Sequence, residues 1–196
     1  METRTIFFIG KPGCGKGTQA KLLAEKTGWP IISAGAQFRE LASEDTPVGR
    51  KIKSEINVGD LAPHWFAMYL YLKALFGAGN TTSIIFDGFN RKVPEAELAI
   101  DSLKWLERPF TVININVSDE EVRRRLAGRK LIEGRADDNA VDERMKEYYE
   151  FTHPALDLFR KEGSLIEING EQTPESIAVD INEVLGLPAQ ASIHDN

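Results

Sequence analysis

Thr5-Ile6-Phe7-Phe8-Ile9-Gly10-Lys11-Pro12-Gly13-Cys14-Gly15-Lys16-Gly17-Thr18-Gln19 is the stretch on which the fold turns. Its first five residues are an apolar run, as expected of a strand buried on both sheet faces. Gly10 ends the run. Gly10 to Lys16 then matches the spacing of a glycine, four residues and Gly-Lys, and a helical pattern follows with Ala20, Leu23 and Ala24 on one face. In that context the glycines let the backbone curl until successive N–H groups point at one phosphate. The start of the next helix adds the positive end of its dipole. Lys16 supplies a mobile point charge for the β and γ phosphates of a bound triphosphate. The bland alternative is a Gly-rich turn carrying a surface lysine.

Working outward, apolar runs alternate with helical patterns. Strands are expected at 30–33, 83–86, 110–115 and 165–168. Helices are expected at 15–26, 36–43, 48–57, 65–76, 95–106, 120–127, 141–161 and 174–185, the last with Pro174 in its first turn. Strands separated by helices imply parallel pairing through right-handed crossovers. The expected fold is therefore α/β: a P-loop NTPase-type, doubly wound sheet of five parallel strands flanked by helices. Ligands in such sheets bind beyond the carboxyl ends of the strands. We expect one domain over 1–186 and a frayed tail over 187–196.

Composition narrows the class. The 196 residues suffice for one α/β domain, and 42% apolar with 28% charged is ordinary for a soluble globular chain. No apolar run approaches the roughly 20 residues that span a bilayer. The N-terminal apolar stretch lacks a small-residue cleavage site and reads as a strand, not a secretory leader. One cysteine, Cys14, leaves neither an intrachain disulfide nor a cysteine zinc cage, and the reducing cytoplasm is the expected compartment. A formal net charge of -6 argues against a surface for nucleic acid. Against that background Arg123, Arg124, Arg125, Arg129, Lys130 and Arg135 are crowded together. Such a cluster is either a solvated helix face or an anion site.

Further motifs decide between the two. Gly17-Thr18 follows the lysine where many phosphate loops carry Ser or Thr directly. Ser33-Ala34-Gly35-Ala36-Gln37-Phe38-Arg39 follows the second strand, and Asp87-Gly88-Phe89-Asn90-Arg91 the third. Arg125-Leu126-Ala127-Gly128-Arg129 and Arg135-Ala136-Asp137-Asp138 border a short segment, followed by Arg144, Tyr148 and Thr152-His153-Pro154. Together, over roughly residues 5 to 185, these resemble the nucleoside monophosphate kinases, adenylate kinase above all, in the short-lid form.

The resemblance implies an enzyme that transfers a phosphoryl group from ATP to a nucleoside monophosphate, most simply AMP, with Mg²⁺. It implies that Gly13, Cys14, Gly15, Lys16, Gly17, Thr18, Arg125, Arg129 and Gln172 hold ATP, with Gly170 near its adenine. Ala34, Arg39, Asp60, Leu61, Ala62, Gly88, Arg91 and Glu95 are implied on the acceptor side, Arg39 and Arg91 at its phosphate. Arg135 and Arg144 bridge donor and acceptor phosphates. Lys16, Arg91, Arg125, Arg135 and Arg144 are thus the implied catalytic set. Asp87 orients the Mg²⁺ hydration shell, with Thr18 as a further metal contact. The resemblance also implies two closing segments, an acceptor flap at about 33–62 and a lid at about 125–144, and a monomer whose partners are small nucleotides. Arginines suit the task, being always charged and bidentate to phosphate.

Four residues depart from the family pattern. Ala34 replaces Thr, Ala36 replaces Asp, Asn90 replaces Pro, and Glu95 replaces the adenylate kinase Gln. An amide both donates and accepts, whereas ionised Glu only accepts. Glu95 thus suits a base with adjacent N–H donors, unless it points to solvent and backbone groups read the base. The alternatives that remain are a kinase for GMP, UMP/CMP or a deoxynucleotide, and a catalytically weakened nucleotide sensor. Asp87 could also be a cap or turn residue, and Asp137 and Asp138 either fix lid arginines or cap a helix. Cys14 and the aromatic residues from Trp65 to Tyr71 read as packing residues. His64, His153 and His194 share no metal spacing.

Overall fold

Phe7 and Phe8 are neighbours on β1 (Thr5–Ile9), both fully buried, and they belong to two different cores. That is the physical content of a doubly wound sheet: alternate side chains of one strand face opposite layers, and both layers are covered. The computed structural model describes residues 4–58, 62–79, 82–133 and 140–188, without the side chains of 56–58 and 129–133. The other strands are β2 (Ile31–Ser33), β3 (Ile84–Asp87), β4 (Phe110–Asn116) and β5 (Leu165–Asn169). All pair in parallel, in the order β2-β3-β1-β4-β5. The chain leaves β1 to build one side of the sheet, then returns past it to build the other. The loop after β1 therefore stands at the topological switch point, where a crevice opens.

The helices are α1 (Lys16–Thr27), α2 (Ala34–Ser43), α3 (Pro47–Val58), α4 (His64–Gly77), α5 (Val93–Trp105), α6 (Asp119–Glu133), α7 (Val141–Glu147), α8 (His153–Lys161) and α9 (Pro174–Val184). One core gathers Phe7, Phe86 and Val112 with Tyr71 of α4, Leu103 of α5 and Phe159 of α8. Phe7 and Phe86 stack at 5.2 Å, and Phe89 meets Phe86 edge-on at 5.5 Å. The opposite core joins Phe8, Ile85, Ile113 and Ile168 to Leu23 of α1 and to Ile177 and Ile181 of α9.

Three expectations need correction. The helix expected over 120–127 runs from Asp119 to Glu133. Arg125 and Arg129 thus sit on a helix rather than at the edge of a loop. The single helix expected over 141–161 is broken by a π turn, Tyr148–Thr152, between α7 and α8. Pro154 is the cause: it has no N–H, and its ring crowds the carbonyl one turn earlier. Leu187 is not frayed, since its N–H bonds Asn182 O at 2.9 Å and its side chain packs on the α1–α9 core.

Gly170 ends β5 where its backbone presses on β4. A Cβ built there would lie 2.5 Å from Ile115 Cγ2, 2.6 Å from Val117 Cγ2 and 2.9 Å from Asn116 O. Gly170→Ala should therefore destabilise the fold by about 1–3 kcal/mol through overpacking. Chemical denaturation with an unchanged m-value is the check.

Candidate active site

The phosphate loop spans the gap between Ile9 and α1, and its glycines take the backbone where other residues go only with strain: φ is 74° at Gly13 and 106° at Gly15. Lys16 is the first residue of α1 and turns back over the loop. Its ammonium donates to Gly10 O at 2.8 Å and Lys11 O at 2.7 Å, and lies 3.5 Å from Cys14 Sγ. Burial pulls its pKa below the usual lysine value, with Arg91 and Arg144 adding to the effect and Cys14 and Asp87 opposing it. Two loop carbonyls thus seat a half-buried cation.

A cavity of about 660 Å³ opens above this loop. Gly13, Gly15, Lys16, Gly17 and Thr18 form its floor. On one side α2 brings Ala34 and Arg39, with Phe38, Ile52 and Ala62 nearby. The end of β3 brings Asp87, Gly88 and Arg91, and α5 brings Glu95. On the other side stand Arg125 of α6 and Arg144 of α7, with Tyr148 and Thr152 of the π turn. Burial raises the Tyr148 hydroxyl to about 12, so it stays protonated. Lys16, Arg39, Arg91, Arg125 and Arg144 come from five separate elements and line one cavity. This resolves the arginine cluster of the sequence: Arg125 turns into the site, while Arg124 pairs with Glu121 outside.

Arg125 and Arg91 both rest on backbone oxygen. Arg125 Nη2 donates to Gly170 O at 2.8 Å and Nη1 to Cys14 O at 3.2 Å, while Nε bonds Glu121 at 2.6 Å. Arg124 and Arg125 together hold the Glu121 carboxyl near a pKa of 2. Arg91 Nε donates to Gly88 O at 2.7 Å. Asp87 accepts from Ser33 Oγ at 3.2 Å, and its Oδ2 lies 3.7 Å from where a Cβ of Gly17 would be.

Three implied residues stand apart from the cavity wall, among them Gly170, whose carbonyl holds Arg125. Cys14 is fully buried behind the loop, inside the core. Gln172 spends its amide on Asn169 O and on Asp180 Oδ2, at 3.1 and 2.7 Å. Asp60, Leu61, Arg135, Asp137 and Asp138 lie outside the described residues, as does the side chain of Arg129. Sequence reasoning passed over Ser33, Phe38, Ile52, Glu55 and Glu147, all cavity residues. For Ile52 and Glu55 the i, i+3 spacing on α3 was the available signal; for Ser33 it was the strand end.

Glu95 does not point to solvent. It is 3% exposed, and Oε2 accepts from the backbone N–H of Arg91 at 2.7 Å and of Lys92 at 3.3 Å. The carboxylate caps its own helix and ties down the turn that carries Arg91. Asn90 in that turn has φ 59°, which proline cannot reach, so the departure from the family pattern reshapes the backbone. Its side-chain nitrogen and oxygen are buried without a hydrogen bond among the described residues.

A parallel sheet with a glycine loop at its switch point, and a lysine with arginines converging on one cavity, defines a P-loop phosphotransferase. The family model described as Adenylate kinase matches residues 8–164. An adenylate kinase of Leptospira biflexa is 36% identical over 177 residues, covering 89% of this chain and 95% of that one. One from Thermus thermophilus is 34% identical over 188 residues, 94% and 98% of the two chains. Adenylate kinase 1 of Nostoc is 35% identical over 184 residues, 92% and 98%. The chain belongs to the adenylate kinase family and is an ATP-dependent nucleoside monophosphate kinase.

Glu95 generates a pH prediction. Burial, outweighing the two backbone donors and the charges of Arg91 and Lys92, raises its folded pKa above 4.5. A raised carboxyl favours the folded state below its unfolded pKa and loses that contribution as pH rises through the folded one. Glu95→Gln, which cannot ionise, should therefore gain stability over the parent near neutral pH. The gain should shrink as pH falls toward 4.5. Denaturant midpoints across that range are the measurement, and a pH-independent difference would contradict the burial argument.

Proposed function

We propose that this chain catalyses the reversible reaction ATP + AMP = 2 ADP. The observation that carries the reading is the convergence of Lys16, Arg39, Arg91, Arg125 and Arg144 on one cavity at the switch point of the sheet. Two polyanions must be held together, and five cations from separate elements answer that need. A nucleotide sensor needs no such set on both sides of the transferred group. The AMP assignment is supported by relatives that carry the adenylate kinase name over nearly their full length.

The mechanism is positioning plus charge stabilisation, with no protein nucleophile. The loop amides and Lys16 take the β and γ phosphates, and Lys16 exchanges two carbonyl partners for phosphate oxygen. Arg39 and Arg91 hold the acceptor's phosphate, with Glu95 fixing the turn beneath Arg91. Arg125, with Arg129, holds the triphosphate, and Arg144, with Arg135, meets the charge that develops between the nucleotides. Asp87 and Thr18 fit Mg²⁺: a carboxylate and a hydroxyl beside the phosphate floor suit a hard cation that keeps most of its waters. When bound, Mg²⁺ supplies charge neutralisation on the transferring group. Among the described residues no helix is long and apolar enough to cross a membrane. A cytoplasmic monomer acting on small nucleotides, not nucleic acid, completes the proposal.

A coupled assay with ATP and each monophosphate tests it. AMP should be phosphorylated fastest, and Lys16→Ala should keep the fold while lowering turnover at least about a hundredfold. If the second Glu95 carboxyl oxygen meets the base, Glu95→Gln should shift relative kcat/KM toward AMP by roughly fivefold or more. An unchanged ranking would assign base reading to backbone groups near Ala62 and to the space at Ala34.

The acceptor segment at 33–62 and the lid at 125–144 close over both substrates, excluding water that would otherwise accept the phosphoryl group. A bisubstrate analogue should bind far more tightly than either nucleotide alone. Small-angle scattering should show compaction with it, and an unchanged radius would contradict closure.

A further inference from the structure

Lys11 is a second lysine in the phosphate loop, and the phosphoryl-transfer mechanism does not use its side chain. It turns away from the cavity. Its ammonium donates to Val117 O at 2.9 Å and to Asp119 Oδ1 at 2.5 Å, and lies 5.4 Å from the centre of the Tyr149 ring. Tyr149 Oη donates to the same Asp119 oxygen at 2.7 Å. Three elements meet there: the loop after β1, the first turn of α6, and the π turn. At the other end of Lys11, its carbonyl accepts from Lys16 at 2.7 Å and from Cys14 N at 3.3 Å.

We propose that Lys11 is a positioning residue for the donor nucleotide: it pins the phosphate loop to the foot of α6 and so sets where Lys16 and Arg125 stand. This rests on the ATP-dependent reading of the site. The side chain is well covered, at 16% exposure, while Asp119 is 48% exposed and Tyr149 47%. Ion pairs that open contribute little to global stability, so the contact's effect lies in geometry. Arg125 reaches Cys14 O from two turns further along α6. Loop and helix are thus registered at two points. When Arg125 exchanges its carbonyl partners for nucleotide, Lys11–Asp119 is the point that stays. The acceptor arginines Arg39 and Arg91 stand on α2 and on the turn after β3. The hydrogen bonds of Lys11 and Asp119 go to neither, and among the described residues the π turn meets the Arg91 turn through Phe151, whose ring lies 5.1 Å from Lys92 Nζ.

The test is calorimetric binding of ATP and of AMP, separately, which needs no turnover. A parent that binds ATP but does not phosphorylate AMP would defeat the functional reading and leave this inference standing. Lys11→Met should weaken ATP about three- to tenfold, the effect of losing roughly one preorganising contact, and leave AMP within twofold. Lys11→Arg, which can still donate to Val117 O and Asp119, should restore ATP binding. Asp119→Asn should weaken ATP in the same direction, and the double variant should be no worse than Lys11→Met alone. Thermal unfolding of each variant separates positioning from damage. Three results would overturn the proposal. ATP affinity could stay unchanged in Lys11→Met. ATP and AMP could weaken together along with a lowered Tm. Lys11→Met alone could weaken ATP while Asp119→Asn does not, which would make Lys11 a direct phosphate ligand.

Discussion

Six cations, Lys16, Lys21, Arg39, Arg91, Arg125 and Arg144, line one cavity in a chain whose formal net charge is -6. Like charges in a partly desolvated space repel, and the fold has to hold them there before a substrate arrives. Lys16 rests on the carbonyls of Gly10 and Lys11, Arg125 on those of Cys14 and Gly170, and Arg91 on that of Gly88. In the proposed mechanism, phosphate oxygen replaces that backbone oxygen. Partial negative charge is enough to seat a cation but weaker than a phosphate, so each partner can be exchanged. Arg125 also pairs with the Glu121 carboxylate, but through Nε, which leaves both Nη groups on carbonyls.

The sheet makes that arrangement possible. Every strand is parallel, so every carboxyl end opens on the same edge. β1 places Lys16 and the loop at the centre, β2 leads to Arg39, and β3 to Asp87 and Arg91. β4 leads through α6 to Arg125, and β5 ends at Gly170 beneath it. Both faces are sealed by apolar cores, so the edge is rigid where the chemistry needs rigidity. The loops and helices above it carry the groups that the proposed closure would bring together. The π turn fits the same division. Pro154 forces it, and it delivers Tyr148 and Thr152 to the cavity and Tyr149 to the clamp on Lys11.

The acceptor side is where this chain departs from its family, and the structure gives the departures a common setting. Ala34 is buried at the start of α2, Asn90 turns the backbone through a left-handed conformation, and Glu95 ties its carboxylate to the two amides just past Asn90. A glutamine could accept the same N–H bonds with its carbonyl and still present an amine. The carboxylate presents only a second acceptor. Asn90 and Glu95 therefore shape the turn that carries Arg91, while Ala34 opens α2.

The fold class, the phosphate loop, and Lys16 and the arginines that line the cavity were legible in the chain itself. Their signals are local: an apolar run of five, glycines at set spacing, an arginine just past a strand. Those patterns act within a few residues, through backbone conformation and burial period. Other features depend on distant residues meeting, which no spacing encodes. The sequence pattern put Glu95 beside the acceptor, but only the folded turn sends its Oε2 to the amides of Arg91 and Lys92. It ended a helix at Ala127, yet α6 runs through Gly128 to Glu133 because tertiary context overrides a weak local preference. It left Lys11 as one residue of a loop. The tie to Asp119 crosses 108 positions of sequence, and it exists because β1 and β4 lie side by side in the sheet.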